Sequence, residues 1–260
     1  MRSSTRAHWQ DFWDEAKALS LAEVYDNDGR VVREIFALGD PAGRRVLEVG
    51  AGSGRDAVAL ASAGAEVVTV DYVVGSLDLT ARAAAQAGAR VRPVGADGLA
   101  LPFGDGTFDV VFHQGLLEHF RDPLPLLREN ARVLRPGGFL VVDVPQRWHY
   151  YTLAKKALIA LGRWFAGWET EFTAPELERL VAAVQLEPVR TYGDWMVPGL
   201  WYRALRKILL TRLGVRLPMY PDPFPPLSRL AAAARRRWRQ RRCALWTTMT
   251  IGAVARKPTA

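Results

Sequence analysis

The sequence predicts an α/β fold built on a mostly parallel sheet with helices on both faces. Short apolar segments alternate with helical segments from Arg45 to Pro145, which is the pattern of successive β-α-β units. The first of these strands ends in a glycine-rich turn that leads directly into a helix. The 260 residues are enough to bury a sizeable core, and a hydrophobic content of 49% is ordinary for a globular protein.

Five strands and three helices are predicted within this region from apolar runs and from the residues that end them. The strands are predicted at Val46–Val49, Val67–Val70, Val91–Val94, Phe108–Phe112 and Phe139–Val144. The helices are predicted at Asp56–Ala63, Ser76–Ala87 and Leu124–Leu134, and a glycine or proline follows each of them closely.

Beyond Pro145 longer helical segments replace the regular alternation. The predicted elements there are an amphipathic helix at Tyr151–Trp168, with Leu153, Ala157, Leu161 and Phe165 every four residues, a capped helix at Thr173–Gln185, and strands at Val189–Trp195 and Ala244–Val254. We therefore predict a single domain, 1–260. It has an N-terminal helical segment at 1–40, a ligand-binding core at 45–145, and helical lid insertions at 147–172 and 196–242.

Basic residues are concentrated in the C-terminal part of the chain. From Leu200 onward there are fourteen Lys and Arg residues and one acid, Asp222, so this part carries +13 while the whole chain carries +8. Any attraction to an anionic surface therefore belongs to this part. The single cysteine, Cys243, excludes an intramolecular disulfide, and no apolar run is long enough to span a bilayer. We expect a cytoplasmic protein, either free or attached peripherally to the inner face of the membrane.

The run Val46-Leu47-Glu48-Val49-Gly50-Ala51-Gly52-Ser53-Gly54 is the strongest chemical signal. Glycines let the backbone turn tightly and approach a ligand closely. The spacing is tighter than the dinucleotide pattern of G-x-G-x-x-G, and Glu48 would repel a pyrophosphate. The turn therefore favours a ligand that carries positive charge.

Two further acids follow predicted strands. Asp71 ends the second strand, where a carboxylate can accept hydrogen bonds from both ribose hydroxyls, or can cap a turn. Asp97 follows the third strand, where it can accept from an adenine amino group or form an Asx turn.

Taken in order, these motifs resemble the class I S-adenosylmethionine-dependent methyltransferases, particularly the branch that includes the quinone-biosynthesis enzymes. The resemblance also rests on Leu101-Pro102-Phe103, Phe108-Asp109-Val110-Val111, Leu117-Glu118-His119 and Leu134-Arg135-Pro136-Gly137-Gly138. It covers about residues 40–145. It implies a Rossmann-like fold with seven strands in the order 3-2-1-4-5-7-6, of which strand seven is antiparallel.

The resemblance implies S-adenosylmethionine as cofactor and S-adenosylhomocysteine as product. It assigns the methionine moiety to Glu48 and the Gly50–Gly52 backbone, the ribose and adenine side to Asp71 and Tyr72, and the adenine to Asp97 and Gly98. His113, or Gln114 beside it, would line the methionine end. No metal site is predicted.

Candidates for a catalytic base come from the end of the fourth strand and from two later segments, Arg147-Trp148-His149-Tyr150-Tyr151 and Trp168-Glu169-Thr170-Glu171. His113 ends the fourth strand and can face the ligand crevice, either as a base or in orienting the cofactor, but a purely structural role is equally open. His149 and Tyr150 lie in the aromatic segment after strand five, which either lines a pocket or packs in the core. The Leu117-Glu118-His119 motif offers a catalytic His/Glu pair as an alternative, but it is interpreted as architectural, because members of the family with different acceptors share it.

The sequence predicts a methyltransferase acting on a small apolar, lipid-like or secondary-metabolite acceptor. The alternatives are an RNA methyltransferase that uses the basic insertion and a cofactor-binding module without catalysis. Within 196–242, Leu227, Leu230, Ala234 and Trp238 recur at helical spacing among arginines. That helix is interpreted as a solvated lid helix, as a helix lying on an anionic membrane surface, or as an RNA-binding element, the last without any recognised RNA module.

Overall fold

In the computed structural model, which describes residues 5–16, 29–164, 168–195 and 197–259, the strands form a mixed sheet in the order β3-β2-β1-β4-β5-β7-β6. The strands are β1 (Arg45–Val49), β2 (Glu66–Asp71), β3 (Val91–Gly95), β4 (Phe108–Gln114), β5 (Leu134–Pro145), β6 (Glu187–Asp194) and β7 (Thr250–Arg256). β1 pairs in parallel with β2 and β4, while β7 runs antiparallel to both β5 and β6. The predicted order and the antiparallel seventh strand are confirmed.

Helices precede, connect and follow the strands. They are α1 (Arg6–Ala16), α2 (Arg30–Phe36), α3 (Arg55–Ser62), α4 (Val74–Gln86), α5 (Leu124–Val133), α6 (Tyr150–Ala160), α7 (Ala174–Ala183), α8 (Leu200–Leu213), α9 (Pro225–Trp238) and α10 (Arg242–Leu245), with a 3-10 turn at Leu117–His119. Of the predicted N-terminal segment, residues 1–4 and 17–28 lie outside the described residues, as does residue 196 of the insertion. No helix among the described residues is long and apolar enough to cross a membrane.

The core lies on both faces of the sheet, as the alternation of side chains along β1 shows. Leu47 and Val49 belong to one apolar cluster, whereas Val46 belongs to another, on the opposite face, together with Val31 and Ile35 of α2. Burial of both faces leaves the central strands almost uniformly apolar.

The capped start of α7 forms as predicted. The Glu176 carboxylate accepts hydrogen bonds from both the backbone N–H and the hydroxyl of Thr173 at 2.8 Å. Two strands begin at least five residues from their expected starts. β5 starts at Leu134, which pairs with Phe108 ahead of an irregularity, and β7 starts at Thr250 because residues 242–245 are helical.

Helix α6 turns polar side chains toward the protein interior and apolar ones toward solvent, which is the reverse of a usual amphipathic helix. Its polar side chains Thr152 and Lys155 are buried, while Leu153 and Leu161 of the predicted apolar stripe are 53% and 67% exposed. Phe165, the last residue of that stripe, lies outside the described residues.

An ion-pair cluster ties the end of α9 to the body of the protein. The fully buried carboxylate of Glu34 in α2 lies 2.8 Å from Arg190 of β6 and 2.6 Å from Arg239. The carbonyl of Arg239 also accepts from the N–H of Gly193 at 2.7 Å. One arginine of the basic insertion is therefore structural rather than a solvated charge.

Gly252 leaves room for the buried ring of Tyr192 on the neighbouring strand, and a Cβ there would collide with that ring. We expect Gly252→Ala to lower the free energy of unfolding by about 1–3 kcal/mol, the usual cost of overpacking a core, as measured by urea denaturation. Gly199→Ala is the matched control, because a Cβ at Gly199 meets nothing within 4 Å. Equal stabilities for the two variants would contradict this interpretation.

Candidate active site

A cavity of about 440 Å³ lies at the carboxyl ends of the parallel strands, where ligands bind in sheets of this kind. Its size is within the range of small-molecule sites. Eight of the residues predicted to contact the cofactor line it: Glu48, Gly50, Gly52, Asp71, Tyr72, Asp97, Gly98 and Gln114. The fold therefore brings them together in one place, and their contact with a cofactor remains a prediction.

The glycine turn after β1 depends on a left-handed backbone. Gly52 has φ +53°, and a Cβ there would collide with the ring of Trp13 from α1. Gly54, with φ +66°, would meet the side chain of Thr80 in the same way. The turn thus packs closely against Trp13 and Thr80, and its backbone lines the cavity.

Glu48 is a buried carboxylate beside this turn. Its Oε2 accepts a hydrogen bond from the N–H of Ala57 in the first turn of α3 at 3.2 Å. Burial, with the nearby Asp56 adding to it, raises the pKa of Glu48 well above its ordinary value, although the Ala57 hydrogen bond opposes the rise. A positively charged group bound here would favour the ionised form.

Asp71 at the end of β2 holds the turn from the other side. Its carboxylate accepts from the N–H of Gly52 at 3.1 Å, the N–H of Val73 at 3.0 Å and the hydroxyl of Ser76 at 2.8 Å. Burial raises the pKa of Asp71 despite these three donors. Asp71 is therefore a positioning group for the turn as well as a candidate ribose ligand.

Asp97 and Gly98 close the far end of the cavity. The carboxylate of Asp97 accepts from the N–H of Leu99 at 2.9 Å, so the Asx turn foreseen as one alternative is formed. Gly98 sits against Val49 and Leu126, where a Cβ would approach within 3.0 and 3.1 Å.

The three residues proposed as catalytic do not line this cavity. His113 is fully buried within β4, burial lowers its pKa to about 3, and neither ring nitrogen has a partner among the described residues. Its neighbour Gln114 faces the cavity instead. His149 caps the start of α6, accepting from the N–H of Tyr151 at 3.3 Å, and with the exposed Tyr150 it lines a separate aromatic depression. His113 therefore does not face the cavity as expected, and the assignments of His113 to the methionine end and of all three residues to catalysis remain predictions that their positions do not support.

Two residues of the motif interpreted as architectural, Glu118 and His119, line the cavity instead. Glu118 is buried, and its Oε2 has no partner among the described residues. Burial, reinforced by Glu169, raises the pKa of Glu118 to about 8. His119 follows it, with a buried Nδ1 that likewise lacks a partner within the described part of the chain. Burial lowers the pKa of His119 below its ordinary 6.5, although a hydrogen bond to the Trp168 backbone and Glu169 act in the opposite direction.

A buried ion pair forms the wall opposite the sheet. Lys155 of α6, only 1% exposed, donates to Glu169 at 2.6 Å and lies 3.3 Å from Glu171. The indole N–H of Trp164 donates to the other oxygen of Glu169 at 2.6 Å. Burial raises the pKa of the adjacent Tyr151 to about 12, so its hydroxyl remains a hydrogen-bond donor. Of this group, the sequence singled out the segments that hold Tyr151 and Glu169, but it gave no sign of Lys155 or Trp164.

Two aromatic residues of α1 cover the cavity. Trp13 packs on Gly52, and the ring of Trp9 meets that of His119 edge-to-face at 4.9 Å between centroids. Both Trp9 and Trp13 line the cavity, so α1 joins its two ends. Their spacing of four residues was the only sequence signal of a shared helix face.

A further ion pair lies at the inner end of the cavity. Arg30 of α2 donates to Asp143 of β5 at 2.9 Å. Burial raises the pKa of Asp143 to about 6 even though Arg30 opposes the rise. With Glu48, Asp56, Asp71 and Glu118, the cavity thus contains five buried carboxyl groups, which suits a cationic ligand better than a pyrophosphate.

Comparison with known proteins agrees with this geometry. A family model described as a methyltransferase domain matches residues 47–142. A demethylmenaquinone methyltransferase from Clavibacter sepedonicus is 41% identical over 180 residues, which covers 65% of this chain and 67% of the relative. The chain belongs to the class I S-adenosylmethionine-dependent methyltransferase family. The names of its relatives place this methyltransferase in the quinone-biosynthesis branch.

The matches to two other relatives cover a smaller share of each relative's length. A ubiquinone biosynthesis O-methyltransferase from Ruegeria pomeroyi is 32% identical over 165 residues, which is 62% of this methyltransferase and 66% of the relative. An uncharacterized methyltransferase from Mycobacterium sp. (strain JLS) is 45% identical over 103 residues, which is 40% of this chain and 39% of the relative. The chain thus spans between 39% and 67% of the length of these three relatives.

Solved structures share the fold at low sequence identity. A methyltransferase from Thermotoga maritima matches this one with a TM-score of 0.62 at 16% identity, over 97% of this chain and all of that one. A magnesium protoporphyrin IX methyltransferase from Synechocystis, solved with bound S-adenosylhomocysteine, matches with a TM-score of 0.57 at 15% identity, over 98% and 85% of the two chains.

Glu48→Gln tests the charge at the glycine turn. We expect it to weaken S-adenosylmethionine binding roughly 10- to 100-fold, since hydrogen bonds to charged groups contribute about 1.5–3 kcal/mol. Because the pKa of Glu48 is raised in the free protein, a cationic ligand must displace a proton as pH falls. Affinity of the unmodified protein should therefore decrease as pH is lowered through the raised pKa of Glu48, and that of Glu48→Gln should change less. Calorimetric titration measures both, with Glu66→Gln, an exposed acid on β2, as control.

Proposed function

We propose that this chain binds S-adenosylmethionine along the glycine turn and catalyses transfer of its methyl group to a hydroxylated, apolar, aromatic acceptor of the quinol type. The observation that carries the proposal is a pair of polar groups, on Glu118 and His119, that have no hydrogen-bond partner among the described residues and line the same cavity as the aromatic side chains of Trp9, Phe120 and Trp164. The demethylmenaquinone and ubiquinone-biosynthesis relatives support the acceptor class.

The cofactor end is assigned to the glycine turn and the acids around it. Glu48 would attract the ammonium of the cofactor, Asp71 and Tyr72 would hold the ribose side, and Asp97 and Gly98 would hold the adenine. When bound, S-adenosylmethionine supplies a methyl group on a positively charged sulfur, and the carbon–sulfur bond breaks as the acceptor bonds to the methyl carbon.

His119 is assigned as the proton acceptor. Its lowered pKa keeps the imidazole neutral at pH 7, and its Nδ1 has a lone pair with no hydrogen-bond partner among the described residues. The Trp168 backbone fixes the ring through a hydrogen bond. Transfer of a phenolic proton to Nδ1 makes both the oxygen and the adjacent ring carbon of the acceptor more nucleophilic, so one base serves either accepting atom.

Glu118 is assigned as a hydrogen-bond donor to an acceptor oxygen. With a pKa of about 8, its carboxyl group is mostly protonated at neutral pH and carries a proton to donate. The aromatic walls supplied by Trp9, Phe120 and Trp164 exclude water and suit a flat apolar ring.

The activity is tested with the cofactor and a panel of acceptors. The panel contains reduced demethylated quinones, hydroxybenzoates with isoprenoid chains, transfer RNA and protein substrates, and mass spectrometry detects an added methyl group. We expect turnover on the hydroxylated aromatic lipids. Turnover on RNA alone would instead favour an RNA methyltransferase, and cofactor binding with no turnover on any acceptor would favour a non-catalytic module.

The variants His119→Asn and His149→Asn should show which of these two histidines accepts the proton. Removing a positioned base costs about 10²–10⁴-fold in kcat, and we expect the cofactor affinity to stay within about threefold. His149→Asn is the matched control, because asparagine also caps a helix and His149 lies outside the cavity. Steady-state kinetics that show equal losses in the two variants would exclude the assignment of His119.

The pH profile should report the proton on Glu118. Its raised pKa means that the neutral donor is present below about pH 8 and is lost as pH rises through that value. We expect kcat/KM of the unmodified enzyme to fall on the alkaline side. In Glu118→Gln this fall should disappear, because the amide donates without ionising. A decline that is unchanged in Glu118→Gln would assign it to another group.

A further inference from the structure

Helices α8 and α9 of the insertion contain no buried side chain among their described residues. On α8, the side chains of Trp201, Leu205 and Ile208 are 86%, 49% and 51% exposed, and their spacing places them on one face of the helix. On α9, Leu227 and Leu230 are 64% and 67% exposed, with Trp238 on the same stripe. Stripes of this size normally pack against a core.

The outward face of α6 continues this pattern. Leu153 and Leu161 point away from the sheet because Lys155 takes the inward position in its ion pair with Glu169. At the start of α6, the exposed Trp148 and Tyr150 share an aromatic depression with Trp195 and Trp246. This depression joins α6 to the ends of β6 and α10.

These helices are connected to the same edge of the sheet as the cavity, the edge formed by the carboxyl ends of β5 and β6. α6 follows the carboxyl end of β5, and α8 and α9 follow the carboxyl end of β6 and precede the start of β7. The cavity opens at this same edge, lined by Pro145 and Thr250. A surface that covered the apolar stripes would therefore lie next to the acceptor end of the cavity.

The charge around the stripes is positive. Seven basic side chains of α8, α9 and their connection form no ion pair with a described residue: Lys207, Arg212, Arg216, Arg229, Arg235, Arg236 and Arg237. All of them are exposed except the half-buried Arg235. Aliphatic stripes flanked by arginine and tryptophan match the interface of an anionic bilayer, where apolar groups enter the acyl region and cations meet phosphates.

We propose that α6, α8 and α9 form a lipid-docking face that binds the surface of an anionic bilayer. RNA offers the same phosphates, but it offers no apolar phase for Leu205, Ile208, Leu227 and Leu230, since bases stack on aromatic rather than on aliphatic side chains. The docking face does not depend on the identity of the acceptor, although it places the cavity beside the phase in which a lipid-like acceptor dissolves.

Vesicle sedimentation tests the charge requirement of the docking face. We expect the full chain to bind vesicles of equal parts phosphatidylglycerol and phosphatidylcholine, to bind pure phosphatidylcholine at least tenfold more weakly, and to lose affinity as salt is added. The triple variant Arg235→Gln, Arg236→Gln, Arg237→Gln should bind about 100-fold more weakly, at roughly fivefold per cation. The matched control replaces Arg82, Arg90 and Arg92 with Gln, because these exposed arginines lie near β3, at the opposite edge of the sheet.

The apolar contribution is tested by Leu205→Ser with Ile208→Ser, for which we expect roughly tenfold or greater loss of vesicle binding. Val74→Ser, an exposed apolar position on α4, is the control. Calorimetric cofactor binding shows that each variant is folded and remains independent of the vesicle result. The proposal is overturned if the chain binds neither vesicle, if both triple variants lose binding equally, or if it binds RNA while ignoring anionic vesicles.

Discussion

The hydrogen bonds that Asp71 accepts are the constraint on which the cavity depends. One carboxylate at the end of β2 holds the N–H of Gly52, the hydroxyl of Ser76 and the N–H of Val73. It thereby joins the glycine turn after β1 to the start of α4, while Gly50 donates to Val70 at 2.7 Å beside it. Because the turn is fixed from β2, its backbone can line the cavity, which Trp13 covers by packing on Gly52.

This arrangement concentrates buried carboxyl groups around the cavity, and most of those with a raised pKa have no ion pair with a basic side chain of the described residues. Desolvation raises the pKa of Glu48, Asp71, Glu118 and Asp143, and only Asp143 has a full ion pair, with Arg30. Buried carboxyl groups are costly when they ionise without a partner. A cationic ligand would relieve that cost at the glycine turn, while Glu118, beside Glu169, stays protonated. The same burial therefore favours opposite protonation states at the two ends of one cavity.

The parts of the site that were predictable are local in sequence. The strand–turn–helix at Val46–Asp56 needs only its glycines and its acid, and Asp71 and Asp97 follow from their places at strand ends. His113 was misplaced because β4 is covered on both faces, so its residues show no alternation of apolar and polar positions. With a period of two, an error of one residue moves a side chain to the other face. Gln114, and not His113, has the parity that faces the cavity.

The orientation of α6 in the lid was harder to predict, because the apolar stripe of this helix is exposed and not buried. The spacing of Leu153, Ala157 and Leu161 indicates a helix but not which side of it is covered, and the usual assumption buries the stripe. Here Lys155 takes the inward position, because Glu169 and Glu171 from the following loop supply partners that the local sequence does not reveal. The motif that contains His119 was interpreted as architectural for a related reason. The role of His119 depends on a Trp9 ring more than a hundred residues earlier and on the Trp168 backbone, and only the tertiary fold brings them together.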